Sequence, residues 1–133
     1  ACTQAHMLRA VFEGVVFSHL YHIEKLLAFR EPPATVRLAG GAANSAVWTQ
    51  MFADALGLPI EVVGDKELGA KGAAMAAAVA AGLYADYRAA ADAMVGVQRT
   101  VYPRMDKHKT YMKKFAAYKH LLKALGGTPC SNN

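Results

Sequence analysis

Cysteine is scarce in this sequence: Cys2 and Cys130 stand alone, at opposite extremes of 133 residues. No disulfide framework can be built from them, and two ordinary thiols of a cytoplasmic protein are expected rather than a terminal clasp. No run of about 18 uncharged apolar residues occurs, so no membrane span is expected. His6, Arg9 and Glu13 interrupt the first apolar stretch and no cleavage site follows, which argues against a signal peptide. There is no HExxH pattern and no Cys/His cluster. His19 and His22, about one helical turn apart, therefore carry no expectation of a metal. Repeats and low-complexity linkers are also missing, and the length suits one domain.

Acidic residues are scarce at one end only. Residues 99–133 hold eight Lys/Arg against Asp106 alone, whereas residues 1–98 hold seven against nine Asp/Glu. The basicity belongs to the end of the chain, not to a surface spanning it, so a nucleic-acid partner is not expected.

What the sequence does hold is helix, with 54% apolar residues and 19% charged ones. Met7, Leu8, Val11, Phe12, Val15, Val16, Leu20, Ile23, Leu26 and Leu27 recur at helical spacing, which predicts a helix from Ala5 to Phe29. Gly14 inside it costs about 1 kcal/mol against Ala and suggests close packing. Pro32-Pro33 stops it. A short strand, Thr35–Ala39, then runs into Gly40-Gly41-Ala42, and a helix starts near Asn44 or Ser45, both good caps. Adjacent glycines allow positive φ and close approach. A helix N-terminus behind such a turn can hold a phosphate or polar ligand. An ordinary tight strand-to-helix connection has the same pattern.

Val47, Trp48, Met51, Phe52, Ala55 and Leu56 form one stripe, with Trp48 as a core anchor. Gly57 suits a left-handed cap and Pro59 a stop. Ile60–Val63 reads as a second strand. Asp65 can cap the next helix and Glu67 suits its positive end. The small residues from Gly69 to Ala78 predict a helix buried beside a sheet. Gly82 weakens its end, and Asp86 starts a short helix through Val95. In the last helix, Asp106–Leu125, Tyr111, Phe115, Tyr118, Leu122 and Leu125 form the apolar stripe. Lys107, Lys109, Lys113, Lys114, Lys119 and Lys123 form a solvated face. Gly126-Gly127 ends it, and Thr128–Asn133 is a tail. Two short strands make a marginal sheet, so the chain reads as part of a larger α/β unit.

Three stretches, in matching order and spacing, resemble the C-terminal domain of the FGGY family of carbohydrate kinases. Leu8 to Phe17 is similar to that family's RAxxEGxAF helix. Gly40-Gly41-Ala42-Ala43-Asn44-Ser45-Ala46-Val47-Trp48-Thr49-Gln50-Met51-Phe52-Ala53-Asp54 is similar to its GGGxxSxxWxQxxAD signature. Glu67 to Ala74 resembles ExxAxGAA. Ala42 departs from the commonest pattern, which has a third glycine.

The resemblance implies an α/β, ribonuclease H-like (actin-like ATPase) domain that is only partly present, with residues 1–127 as its C-terminal half. It implies ATP-dependent phosphorylation of a sugar or polyol hydroxyl. The Trp48-Thr49-Gln50-Met51 form leans toward the xylulose and ribulose kinase branch, hence a ketopentose. Gly40, Gly41 and Ala42 would line the nucleotide and Ser45 would sit near the adenine. The catalytic aspartate, the sugar contacts and the main phosphate loops lie upstream in the family, so no catalytic residue is expected here. Mg2+ would be held mainly by the parts outside this chain, and the chain alone would be inactive. Asp54 matches the signature's helical Asp and Asp65 reads as a cap, so neither is taken as a base. The expected partners are ATP and a sugar, bound together with an N-terminal domain; a homo-oligomer is left open. The alternative reading is a helical interaction module that presents Lys107–Lys123 to an acidic partner, and a non-catalytic ATP sensor is a third.

Overall fold

Three of the helices start under a side chain that accepts from their free N–H groups. Helix α1, Gln4–Leu26, begins under Thr3, whose hydroxyl accepts from the His6 N–H at 3.4 Å while His6 Nδ1 accepts from the Thr3 N–H at 3.2 Å. This reciprocal cap sets the start one residue earlier than the apolar periodicity does. Strand β1, Val36–Leu38, leads through Gly40 to a 3-10 turn at Gly41–Asn44. Helix α2, Ala46–Leu56, starts at Ser45, whose Oγ accepts from the Trp48 N–H at 3.2 Å, and ends at Gly57 with φ +68°. Strand β2 is Ile60–Val63. Helix α3, Leu68–Ala80, follows, and α4, Tyr87–Met94, is capped by Asp86 accepting from the Ala89 N–H at 2.8 Å. Strand β3, Val97–Val101, and helix α5, Met105–Ala124, complete the order. The computed structural model describes residues 2–64 and 67–126. The expected cap Asp65, Gly127, Cys130 and the tail lie outside the described residues, while Cys2 is a free, exposed thiol.

The two expected strands pair in parallel, Val36 with Ile60 and Leu38 with Val62. The third, β3, joins the other edge of β2 antiparallel, giving the order β1-β2-β3. Helix α2 covers this sheet and is itself flanked by α1 and α5. Ile60, Val62, Met51, Phe52, Ala53, Ala55, Val16, Phe17, Tyr111 and Phe115 are buried together. Each large member contributes about 1.5–3 kcal/mol by leaving water. Trp48 packs against this cluster with its ring 4.9 Å from that of Phe12.

Helix α3 departs from the expectation of burial beside the sheet. None of its residues is buried; it packs on α4, and Lys71 Nζ donates to the Met94 carbonyl. Its alanines carry only a methyl group and its glycines no side chain, so burial needs a surface brought directly onto them. Among the described residues only α4 does so. Helix α1 likewise leaves Met7, Leu8, Val11, Phe12 and Val15 at least one-third exposed, because α2 and α5 cover its other face. The lysines of α5 are not all turned to solvent alone. Lys114 pairs with Glu13 at 2.9 Å and Lys119 with Glu24 at 2.8 Å, tying α5 to α1. Among the described residues no helix is long and apolar enough to cross a membrane.

Candidate functional site

Parallel strands deliver their carboxyl ends to the same edge of a sheet, and in open α/β sheets ligands bind outside that edge. Here β1 opens into Gly40 and β2 into Gly64, while β3 begins beside them. The three chain segments enclose a cleft of about 320 Å³, lined by Gly40, Gly41, Ala43, Asn44, Val62, Val63, Gly64 and Gln98. Gly40 has φ +82° and ψ −160°, a conformation that an L side chain rarely adopts. It turns the chain sharply out of β1. The Ala43 N–H then closes on the Gly40 carbonyl at 3.1 Å. The N–H groups of Gly41 and Ala42, at the head of the turn, have no acceptor among the described residues. A Cβ built on Gly41 would meet no atom within 4 Å, so its side of the cleft is open.

Four residues were singled out from the sequence, and the structure divides them. Gly40 and Gly41 line the cleft. Ala42 and Ser45 do not border it. Ala42 packs toward the core and its carbonyl accepts from the Ser45 N–H and from Thr49 Oγ1 at 3.3 Å. Ser45 spends its Oγ on the cap of α2. The turn is therefore fastened to α2 from behind while its glycine face stays free. A second fastening comes from β3: Arg99 Nη2 donates to the Ala43 carbonyl at 3.1 Å. Neither Arg99 nor Gln98 is marked by any motif. The signal for both is their place on a strand that the sequence reading left out.

The two rejected carboxylates fare differently. Asp65 lies outside the described residues. Asp54 is fully buried, away from the cleft, and is fully engaged by Arg104 and Gln50. Burial pushes its carboxyl up, but hydrogen bonds from the Arg104 side chain and backbone and from Gln50 outweigh it and hold it below the usual carboxylate range. A carboxylate so held is a poor proton acceptor. His19 and His22 each bond a carbonyl one turn back, at 3.0 and 2.7 Å. Among the described residues no group of three His, Cys, Asp or Glu side chains could hold a metal ion. An apolar groove of about 240 Å³ lies at the opposite end of α2, between Leu20, Ile23, Leu56, Met112 and Phe115. Its polar groups are the paired Glu24 and Lys119, so it lacks the convergent donors and acceptors of the glycine cleft.

Residues 2–81 match the model of the FGGY family of carbohydrate kinases, C-terminal domain. Over 125 residues the chain is 43% identical to the L-xylulose/3-keto-L-gulonate kinase of Escherichia coli, covering 94% of this chain and 25% of that protein. It is 33% identical to the probable L-xylulose kinase of Haemophilus influenzae over 92% of this chain and 24% of that one. Among solved structures, ligand-bound xylulose kinase from Lactobacillus acidophilus superposes with a TM-score of 0.84 at 25% identity, covering 96% of this chain and 27% of the other. Gluconate kinase from the same organism gives 0.81 at 27% identity, over 94% and 26%. The chain spans about a quarter of the length of the curated relatives it matches.

Proposed function

Because the chain belongs to the FGGY family of carbohydrate kinases and shares their actin-like ATPase fold, we propose that it is the C-terminal, nucleotide-binding part of an ATP-dependent sugar kinase. The proposed reaction moves the terminal phosphoryl group of ATP to a hydroxyl of a ketopentose or related sugar. The observation that carries this reading is the open glycine face of the cleft, at the carboxyl ends of a parallel strand pair. Phosphoryl transfer depends mostly on positioning and on charge stabilisation, with a base at the acceptor hydroxyl. Of these tasks this chain takes the first. Gly40 and Gly41 let the nucleoside approach the backbone, Ala42 fastens the turn to α2 from behind, and Ser45 holds α2 at the edge of the adenine site.

The residues present fit a nucleoside, with a polar cleft, a side-chain-free wall and unengaged N–H groups. Among the described residues no group of three His, Cys, Asp or Glu side chains could hold a metal ion, so Mg2+ would be held mainly by the rest of the protein. The metal, the base and the sugar contacts are assigned to the rest of the protein, and the chain alone to the inactive state. A cytoplasmic enzyme drawing on cellular ATP is the setting this reading implies.

The test is sugar-dependent ADP release by the full-length protein. Gly41→Val places a side chain on the open wall, where a Cβ meets no atom within 4 Å, so folding is expected to survive. The KM for ATP should rise about tenfold or more, equivalent to about 1.4 kcal/mol, with the KM for sugar unchanged. An unchanged KM for ATP would remove the cleft from the nucleotide site.

A further inference from the structure

The pairing of β2 with β3 contains an irregularity at the cleft. Val62 pairs with Arg99 and Val63 with Val97, which leaves Gln98 as an extra residue without a partner on β2. A bulge of this kind re-aims a side chain, and bulges are common beside functional sites. The Gln98 side chain lies over Gly64. A Cβ built on Gly64 would stand 3.2 Å from Gln98 Cβ and 3.6 Å from its Cδ. Glycine at 64 thus leaves the space in which the carboxamide rests. From there Gln98 faces the same cleft as Gly40 and Gly41 and also borders the neighbouring cavity with Lys71, Gly96 and Val97. Its carboxamide has no hydrogen-bond partner among the described residues, and it is exposed. The other walls of the cleft are glycine, alanine and valine, apart from Asn44.

We propose that Gln98 is a specificity residue for the phosphoryl donor, with its carboxamide hydrogen-bonded to the nucleoside. This rests on the nucleotide reading of the cleft. The amide presents one acceptor and two donors in a plane, which complements a group pair that both donates and accepts. A nucleoside offers two such pairs: the exocyclic amine with a ring nitrogen on adenine, and the vicinal hydroxyls of ribose. Of the side chains lining the cleft only Asn44 and Gln98 can hydrogen-bond these groups, and Gln98 is the one that the bulge sets over Gly64.

The experiment is a substitution cycle on the full-length enzyme, with ATP, 2′-deoxy-ATP and purine riboside triphosphate, which lacks the amine. Wild type should prefer ATP over the analogue that lacks the contacted group. Gln98→Ala should raise the KM for ATP about three- to tenfold, the range of one neutral hydrogen bond, with kcat unchanged. It should also abolish the penalty on that one analogue and leave the other penalty in place. Equal shifts on all three nucleotides, or no shift, overturn the proposal. Gly41→Val separates the two readings. If it raises the KM for ATP while Gln98→Ala does not, Gln98 alone is excluded; if neither does, the cleft is not the nucleotide site and both fall.

Discussion

Arg104 Nη2 lies 2.6 Å from Oδ2 of Asp54, a carboxylate with no solvent exposure, although the arginine itself is more than half exposed. The contact joins the last turn of α2 to the residue that precedes α5. Arg104 adds its Nε at 3.1 Å to Oδ2 and its backbone N–H at 2.8 Å to Oδ1. Gln50 donates to the same Oδ1 at 2.9 Å and also to the Tyr102 carbonyl. Every donor faces an ionised acceptor, so this is a locked joint between the helix behind the glycine turn and the chain leaving β3. Asp54→Asn keeps the shape but removes the charge and turns one acceptor into a donor facing donors. It should destabilise the protein by about 1–3 kcal/mol, the worth of hydrogen bonds to a charged group. A denaturant midpoint equal to that of wild type would show that the joint carries no stability.

The same joint fixes the direction of acid sensitivity. Asp54 and Glu13 are both held below the usual carboxylate range. For Glu13 burial pushes up, and the bonds from Lys114 and Arg9 outweigh it. A carboxylate with a depressed folded-state value binds fewer protons folded than unfolded, so its stabilisation is complete above the unfolded value of about 4 and is lost as pH falls through the folded one. The gap in melting temperature between wild type and Asp54→Asn should be constant from neutral pH down to about pH 5 and should close below about pH 4. A gap that widens in acid contradicts the assignment.

What was legible in the sequence is local, and what was not is long-range. Ser45, Gly57 and Asp86 announce their helix ends because a cap acts within one turn, and each does so in the structure. Ile60, Val62 and Val63 announce β2 because three β-branched residues in four suit a central strand, and all three are buried. Strand β3 carries no such mark. Only Val97 and Val101 are aliphatic, Gln98 sits in a bulge, and Arg99 breaks the apolar alternation because its head reaches the Ala43 carbonyl. Its partner lies more than 30 residues away, and only the folded sheet brings them together. The site was half legible for the same reason: Gly40 and Gly41 sit in a local motif, whereas Gln98 and Arg99 come from the unmarked strand. The joint of Asp54 to Arg104 spans 50 residues and left no trace in local pattern.

Gly57 is constrained twice. Its φ of +68° disfavours any Cβ, and a Cβ there would lie 2.8 Å from His108 Cε1 and 3.0 Å from Nε2. The imidazole cannot swing aside freely, because Nδ1 donates to the Asp54 carbonyl at 2.9 Å. Gly57→Ala should therefore cost more than the backbone penalty alone, about 1–3 kcal/mol in all. His108→Ala removes the clash, so the double variant should lose less than the two single losses combined. Strict additivity in a double-mutant cycle would mean that the imidazole does not press on the cap.

Arg99 tests whether the turn must be held from the sheet side. Its guanidinium makes one hydrogen bond, to the Ala43 carbonyl, at the point where the 3-10 turn borders the cleft. The opposite side of the turn is already pinned by Thr49 and Ser45. Loss of Arg99 therefore frees the cleft-facing backbone without unfolding α2. Arg99→Met keeps the aliphatic stem between the strands and removes only the donor. In the full-length enzyme it should raise the KM for ATP by about tenfold, one hydrogen bond to a charged group at the low end of its range. The melting temperature should shift little and the KM for sugar should not change. Arg99→Lys restores a cationic donor on a shorter reach and should recover part of the loss. If Met and Lys behave alike, the contact to Ala43 does not position the turn; if both lower kcat and leave the KM for ATP unchanged, the turn acts on the reaction through something other than nucleotide binding.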